Sequence, residues 1–351
     1  MNEKKIPVEV QELSNDYPCF GGLLNEYFYL KHTTRKNTMD IVRTLREFFN
    51  FIMHNYLAEA PHPNDIQAIH FSKYLHYLEN VATNRQGNPL AQNTISARLT
   101  AVKSLWSFLY IKGFVTKNES TLVKYKKTVN KRDYTALTPE QVNGVLNSLD
   151  IDAIVKSCID GHKKKTNMKK YVAWFTFKIL VHTGLRESEI ASLQFKNLRS
   201  HNGIPYIDLI GKGQKYRQVP VCSTIVDMID KFKSDFHKIW GIVLSDNDYV
   251  IQSAYYSTGL ANKESASTST IFRLIKLIVS ESNLDLSISP HDLRATYVTQ
   301  MLNEGVPVYQ VSQWAGHANI NTTKTYDKDR NRLTNAHSPK FIVAPPALDY
   351  D

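Results

Sequence analysis

The sequence predicts a mainly α-helical fold with a small β-sheet, divided into a helical front domain and an α+β second domain. Three observations carry this. Apolar residues in the first third recur at the three- and four-residue spacing of one helix face. A charge-dense stretch poor in apolar residues, KYKKTVNKRD from Lys124 to Asp133, then interrupts the chain. Beyond it, helical patterns give way once to IPYIDLIGKGQKYRQVPV, whose alternation around GKGQ has the form of a β-hairpin. At 351 residues the chain also exceeds the usual size of one compact domain.

The elements follow in order. Residues 1–18 read as an N-terminal tail and 19–125 as the helical domain. A first helix starts at the polar Thr38 and lines up Val42, Leu45, Phe49 and Ile52. A second runs from Asp65 and contains Ile66, Ile69, Leu75 and Leu78. A third runs from about Thr94, with Ile95, Leu99, Val102, Leu105, Trp106 and Leu109 on its apolar side, and stops at Gly113. Arg98 and Lys103 fall between those apolar positions; contact with a polyanion and simple solvation both fit that placement. Residues 126–136 read as a basic linker. Together with Lys124, its Lys126, Lys127, Lys131 and Arg132 are suited to tracking phosphates.

The second domain is expected over 137–337. It opens at LTPEQVNGVL, with Thr138 as N-cap, Pro139 at the first helical position and Gln141 completing a capping box. The basic segment CIDGHKKKTNMKK reads as a loop within a long insertion at 152–169, and residues 169–181 read as a buried helix ended by His182-Thr-Gly184. In the hairpin, Tyr206, Asp208 and Ile210 alternate with Ile207 and Leu209. NDYVIQS reads as a further short strand. STSTIFRLIKLIV, HDLRATYVTQML and VYQVSQWAG read as helices. Residues 338–351 form a C-terminal tail, in which Phe341 to Val343 is either a docking strand for a neighbouring subunit or a frayed end.

Composition narrows the function. Hydrophobic residues at 42% and charged residues at 22% provide for a buried core and argue against wholesale disorder. A net charge of +10 points to a polyanionic partner, most simply nucleic acid. Cys19, Cys158 and Cys222 are scattered and make neither a C-x-x-C pair nor a disulfide framework, which fits a reducing compartment. The longest apolar run, YVAWFTFKILV, is short and broken by Lys178, so it reads as a buried helix and not a membrane span. No apolar segment follows the first lysines as a secretory signal requires, so a cytoplasmic protein is expected. There is no GxxxxGK[ST] nucleotide loop, no aromatic RNA-binding strand signature and no carboxylate cluster for a two-metal nuclease. No cofactor and no metal are expected.

Four segments of the second domain carry residues suited to a phosphate. TGLRESEI offers Arg186 after a glycine turn, GKGQK offers Lys212 at the hairpin tip, HDLR offers His291 and Arg294 one helical turn apart, and GHANINTTKTY offers His317 nine positions before Tyr326. Each alone has an ordinary structural use: a helix-end arginine paired with Glu189, a solvated lysine, a structural histidine, a half-buried tyrosine. Together they describe phosphoryl chemistry. Two guanidiniums can clamp the non-bridging oxygens of a phosphodiester with bidentate bonds. A tyrosine hydroxyl can attack the phosphorus, and a lysine can protonate the leaving oxygen without a metal.

The order and spacing of TGLRESEIASL, IGKGQKYRQVPV, HDLRATYVTQMLNEGV and WAGHANINTTKTY closely resemble the tyrosine recombinase (phage integrase) family. The resemblance is strong over 137–330 and weaker over the helical front, which is similar to that family's core-binding (SAM-like) domain. It implies two domains forming a C-shaped clamp on double-stranded DNA, and site-specific recombination through a 3′-phosphotyrosine and a Holliday junction. It further implies a dimer on each site and a tetramer in the synapse. By the same resemblance Arg186 and Arg294 hold the scissile phosphate, Lys212 is the general acid and His291 assists proton transfer. His317 then hydrogen-bonds the phosphate, Tyr326 is the nucleophile and Glu189 supports the first arginine. Ala295 and Ala315 depart from the histidine and leucine common there, without removing a reacting group. The N-terminus is too short for an additional arm-binding domain, which implies a recombinase reading only its core sites. Type IB topoisomerase-like cleavage and non-catalytic DNA binding on the same fold are the alternatives.

Overall fold

The computed structural model describes residues 6–20, 22–31, 34–56, 62–125, 136–210, 216–252, 255, 264–282, 284 and 287–326. The chain divides into two compact units, residues 1–131 and 132–351.

The first unit is helical. It comprises α1 (Val8–Asp16), α2 (Leu23–Leu30), α3 (Arg35–Asn55), α4 (Ala68–Asn80) and α5 (Gln92–Ile111). The expected tail over 1–18 therefore contains a helix, and its Val10 and Leu13 are fully buried. The polar start of α3 is Thr34, whose hydroxyl accepts from the Asn37 amide; Thr38 lies inside the helix and is buried. Val42, Leu45, Phe49 and Ile52 face the core as their spacing requires, joined by Phe48. α4 begins three residues later than expected, because the Gln67 amide donates to His70 Nδ1 and caps it there. Ile69 consequently sits on the outer face, 52% exposed. All six apolar positions assigned to α5 are buried. Its Trp106 meets Phe71 edge-on at 5.0 Å between ring centroids, and Phe48 stacks on Phe71 at 5.5 Å.

The second unit is built around α8 (Lys164–Thr183). Apolar residues surround this helix on every side, so it can only be central. α6 (Pro139–Leu146) and α7 (Ile151–Ile159) precede it; α10 (Ser223–Trp240), α11 (Thr268–Glu281) and α12 (Pro290–Asn303) follow, and α7, α11 and α12 pack directly on it. Thr138 and Gln141 form the anticipated box at α6. The basic segment at 158–170 is not a loop: a short turn through Gly161 separates α7 from α8. Its lysines alternate with Met168 and Tyr171, which are buried, while Lys164 caps the Ile239 carbonyl and Lys170 pairs with Glu281 at 2.6 Å.

The sheet has three antiparallel strands in sequence order, β1 (Leu198–His201), β2 (Ile204–Ile210) and β3 (Tyr216–Pro220). β1 was not anticipated. It pairs with β2 through Asn202-Gly203, both at positive φ (50° and 78°), the conformation of a tight hairpin turn. In β2–β3, Leu209 stands opposite Arg217 and Ile207 opposite Val219. NDYVIQS contributes one isolated bridge, Gln194 to Tyr249, and no strand. α9 (Glu187–Ala191), α13 (Val308–Ala315) and α14 (Ile320–Lys324) complete the described unit, and β3 lies against α13.

Candidate active site

The site begins where α8 stops. Gly184 caps α8 at φ 59°, and a Cβ there would stand 2.3 Å from the Tyr297 ring, so the turn takes only glycine. Two residues on, Arg186 caps α9. Its own amide donates to Glu189 Oε2 at 2.7 Å, its Nη1 donates to Glu189 Oε1 at 2.8 Å, and its Nη2 donates to the Gly316 carbonyl. α12 starts under a reciprocal cap in which the Ser289 amide and hydroxyl both donate to Asp292. That fixes the turn bearing His291 and Arg294. Arg294 is 3% exposed, and its Nη1 donates to the Gly184 carbonyl at 2.7 Å and its Nη2 to the Ala315 carbonyl.

The end of α13 is the convergence point. The carbonyls of its last two residues and of its capping glycine each accept from a different guanidinium: Trp314 from Arg217 Nε at 2.8 Å, Ala315 from Arg294, and Gly316 from Arg186. These are the orphan carbonyls at the negative end of a helix, where cations are stabilised. Arg217, on β3, also grips Glu189 with its fork, 2.7 Å on each oxygen. Gly316, at φ 66°, then turns the chain to His317. Asn319 caps α14, and His317 Nδ1 lies 2.8 Å from the Thr323 hydroxyl. Tyr326 closes the segment, 6% exposed, its ring parallel to that of His317.

Electrostatics follow from this packing. Burial would raise the Glu189 carboxyl, but bonds and charge from Arg217, with bonds from Arg186, hold it down at about 2. Burial, then the charge of Arg186, lowers Arg294 to about 10. Burial, then Arg294, Arg186, His291 and Arg217, lowers His317 to about 3, so its ring is neutral at physiological pH. Three guanidiniums against one carboxylate leave the site a surplus of positive charge, which suits an anion.

Of the residues singled out from sequence, Arg186, Glu189, Arg294, His317 and Tyr326 meet in this cluster. His291 is on the exposed first turn of α12, and it lines a cleft of about 710 Å³ together with Arg186 and Arg294. Lys212 lies outside the described residues, as do Lys126, Lys127, Lys131 and Arg132. Lys124 is exposed. Arg98 is bound to both oxygens of Glu47 at 2.6 and 2.7 Å, and Lys103 donates to the Val123 carbonyl, so each has a partner inside the helical unit. Arg217 was missed. Its signal was a charged residue two positions before Val219, on the core-facing side of a strand. Among the described residues no group of His, Cys, Asp or Glu is placed to hold a metal, and no helix is long and apolar enough to cross a membrane.

The chain is 29% identical over 189 residues to tyrosine recombinase XerD of Listeria monocytogenes, spanning 54% of this chain and 60% of the relative's length. It is 22% identical over 301 residues to a tyrosine recombinase of Pseudothermotoga lettingae, covering 85% and 90%. The fold matches the XerH site-specific recombinase bound to palindromic difH substrate, with a TM-score of 0.58 at 18% identity over 92% of this chain and 85% of that one. It also matches a lambda integrase dimer bound to a COC′ core site, with a TM-score of 0.60 at 13% identity over 91% and 99%. The profile of the Phage integrase family matches residues 137–332, which hold the whole cluster and more than half of the chain. The chain belongs to that family.

Proposed function

We propose that this chain is a site-specific DNA recombinase that cuts and rejoins strands through a covalent 3′-phosphotyrosine and a Holliday junction. The observation that carries this is the convergence of Arg186, Arg294, His317 and Tyr326 at the end of one helix, inside the family-matched region. In this reading the two guanidiniums leave the α13 carbonyls, or share them, to clamp the non-bridging oxygens of the scissile phosphate. With the Thr323 hydroxyl as donor to His317 Nδ1, the neutral ring carries its proton on Nε2 for a phosphate oxygen. Tyr326 attacks the phosphorus: the Oη–P bond forms, the P–O5′ bond breaks, and the 5′ oxygen takes a proton from Lys212. His291 accepts the tyrosine proton. Attack by a 5′ hydroxyl of the partner strand reverses these steps and releases the tyrosine. The bond energy stays in the ester, so no nucleotide is consumed. The relatives' complexes with difH and COC′ DNA support duplex sites as substrate, and the lambda dimer supports assembly of two copies on a site. Two such pairs in the synapse are part of the same proposal.

The test uses a nicked duplex that traps the covalent state. Wild-type protein is expected to form a protein–DNA adduct, and Tyr326→Phe to bind the duplex without forming one. An adduct with Tyr326→Phe would assign the nucleophile elsewhere. Binding with no wild-type adduct would make the chain a DNA-binding protein on a catalytic scaffold, and relaxation of supercoils without strand exchange a topoisomerase.

A further inference from the structure

The proposed chemistry gives no task to Arg217, yet its placement is costly. Its side chain is 9% exposed, and it adds a third cation beside Arg186 and Arg294 against a single carboxylate. Burying a guanidinium is costly unless its bonds are fully made. An apolar residue at this core-facing strand position would fill the space without that cost. Here the bonds are made, and they go two ways. The fork takes both oxygens of Glu189 at 2.7 Å, and Nε takes the Trp314 carbonyl at 2.8 Å. A second observation fits: a Cβ on Gly316 would come within 3.0 Å of Arg217 Cδ, Nε and Nη1. The turn leading to His317 is therefore moulded on this side chain.

We propose that Arg217 is a positioning residue that locks the phosphate clamp and the nucleophile segment into one unit. It holds Glu189, which orients Arg186 through two bonds, and it holds the end of α13, from which His317 and Tyr326 extend. Arg186 and Arg294 also bond the end of α13, but where they turn to the phosphate Arg217 keeps the two halves joined; without it Arg186 and Tyr326 no longer reach one phosphorus in register. The inference rests on the recombinase reading. It carries a pH signature. Glu189 is faced by Arg217 from β3, by Arg186 from its own helix and by the charge of Arg294 from α12. Removing Arg217 deletes the strongest of the influences holding Glu189 ionised. Its carboxyl then takes a proton at mildly acid pH and lets go of Arg186 Nη1.

Duplexes are selected from a randomised pool by binding to the Tyr326→Phe protein, then nicked. Wild type, Arg217→Gln, Arg217→Lys and Arg217→Gln with Glu189→Gln are compared for binding by gel shift and for single-turnover adduct formation from about pH 8 to about pH 5. The expected result for Arg217→Gln is binding within about threefold of wild type and adduct formation slowed about 100-fold at the upper pH. Arg217→Lys, which keeps the charge and one bond, is expected to lie between them. The Gln variant should slow further towards acid pH, and adding Glu189→Gln should abolish that extra dependence. Wild-type cleavage rates in Arg217→Gln overturn the positioning role alone. Equal losses of binding and cleavage, with Lys no better than Gln, make Arg217 structural and also overturn it. Absence of any wild-type adduct overturns the recombinase reading and this role with it. If Arg217→Gln does not fold, the split between binding and cleavage in Arg217→Lys decides.

Discussion

His317 and Tyr326 lie with their rings nearly parallel, 12° between planes and 6.1 Å between centroids. The spacing of nine residues is what makes this fit: an Asn319 cap and the single turn of α14 return the chain upon itself. The contact is held from the side. Thr323, fully buried, bonds His317 Nδ1 through its hydroxyl and accepts the Tyr326 amide on its carbonyl at 3.0 Å. One residue thus holds the His317 ring and the Tyr326 backbone.

Thr323→Val keeps the shape and deletes the hydroxyl. A neutral hydrogen bond contributes about 0.5–1.5 kcal/mol, so adduct formation is expected to slow about 3- to 10-fold while duplex binding stays unchanged. Single-turnover cleavage measures it; a rate equal to wild type would show that the ring needs no such support.

The neutral state of His317 has a stability consequence. Its folded-state value of about 3 lies below its ordinary value near 6.5. The unfolded chain therefore binds the extra proton first as pH falls. The contribution is fully present above about pH 6.5 and is lost progressively down to about pH 3. In the DNA-free protein the His317 ring resonances are expected not to titrate between about pH 8 and about pH 5. A midpoint near 6.5 would sink the assignment.

How far the sequence could reach is visible in particular residues. The helices of the first unit were legible because apolar periodicity survives in α3 and α5, but Ile69 was misplaced, since one cap at Gln67 decided where α4 begins. β1 was overlooked although Asn202-Gly203 is a strong hairpin signal; its flanks have few apolar residues, and the strand is largely exposed. The basic run that opens α8 looked like a loop because its lysines hide the buried Met168 and Tyr171. In the site, Arg186, Glu189, Arg294, His317 and Tyr326 could be named from motif and order, and the structure brings them together. What sequence could not give was the three-way carbonyl capping of α13, because it joins residues 21, 97 and 130 positions apart. Arg217 belongs to that long-range set.

Glu189 is expected to set the acid limit of the fold. Its folded value of about 2 lies below the usual carboxylate value near 4.3. Its stabilisation is present above about pH 4.3 and disappears as pH falls towards about 2. Glu189→Gln should cost about 2–4 kcal/mol at neutral pH, because Arg217 then remains buried without its anion. Urea unfolding followed at several pH values reads the difference between the two proteins. The gap should narrow as the wild type is acidified. A gap independent of pH would mean that the carboxylate charge contributes nothing there.

Gly184 is the position where backbone, core and site meet. Its φ of 59° belongs to the left-handed region, its Cα faces the Tyr297 ring at a distance that leaves no room for a methyl, and its carbonyl anchors Arg294. Gly184→Ala adds about 1 kcal/mol of backbone strain and about 1–3 kcal/mol of overpacking. The clash must be relieved by moving either Tyr297 or the turn. Tyr297 lies one helical turn from Arg294 on α12 and the turn runs directly into Arg186, so cleavage is expected to fall more than stability alone explains. Trimming the ring separates the two costs. In Gly184→Ala with Tyr297→Leu the overpacking part should be recovered in urea unfolding, leaving the backbone strain. If the double variant is no more stable than Gly184→Ala, the ring is not what excludes the methyl, and the strained turn alone accounts for the glycine.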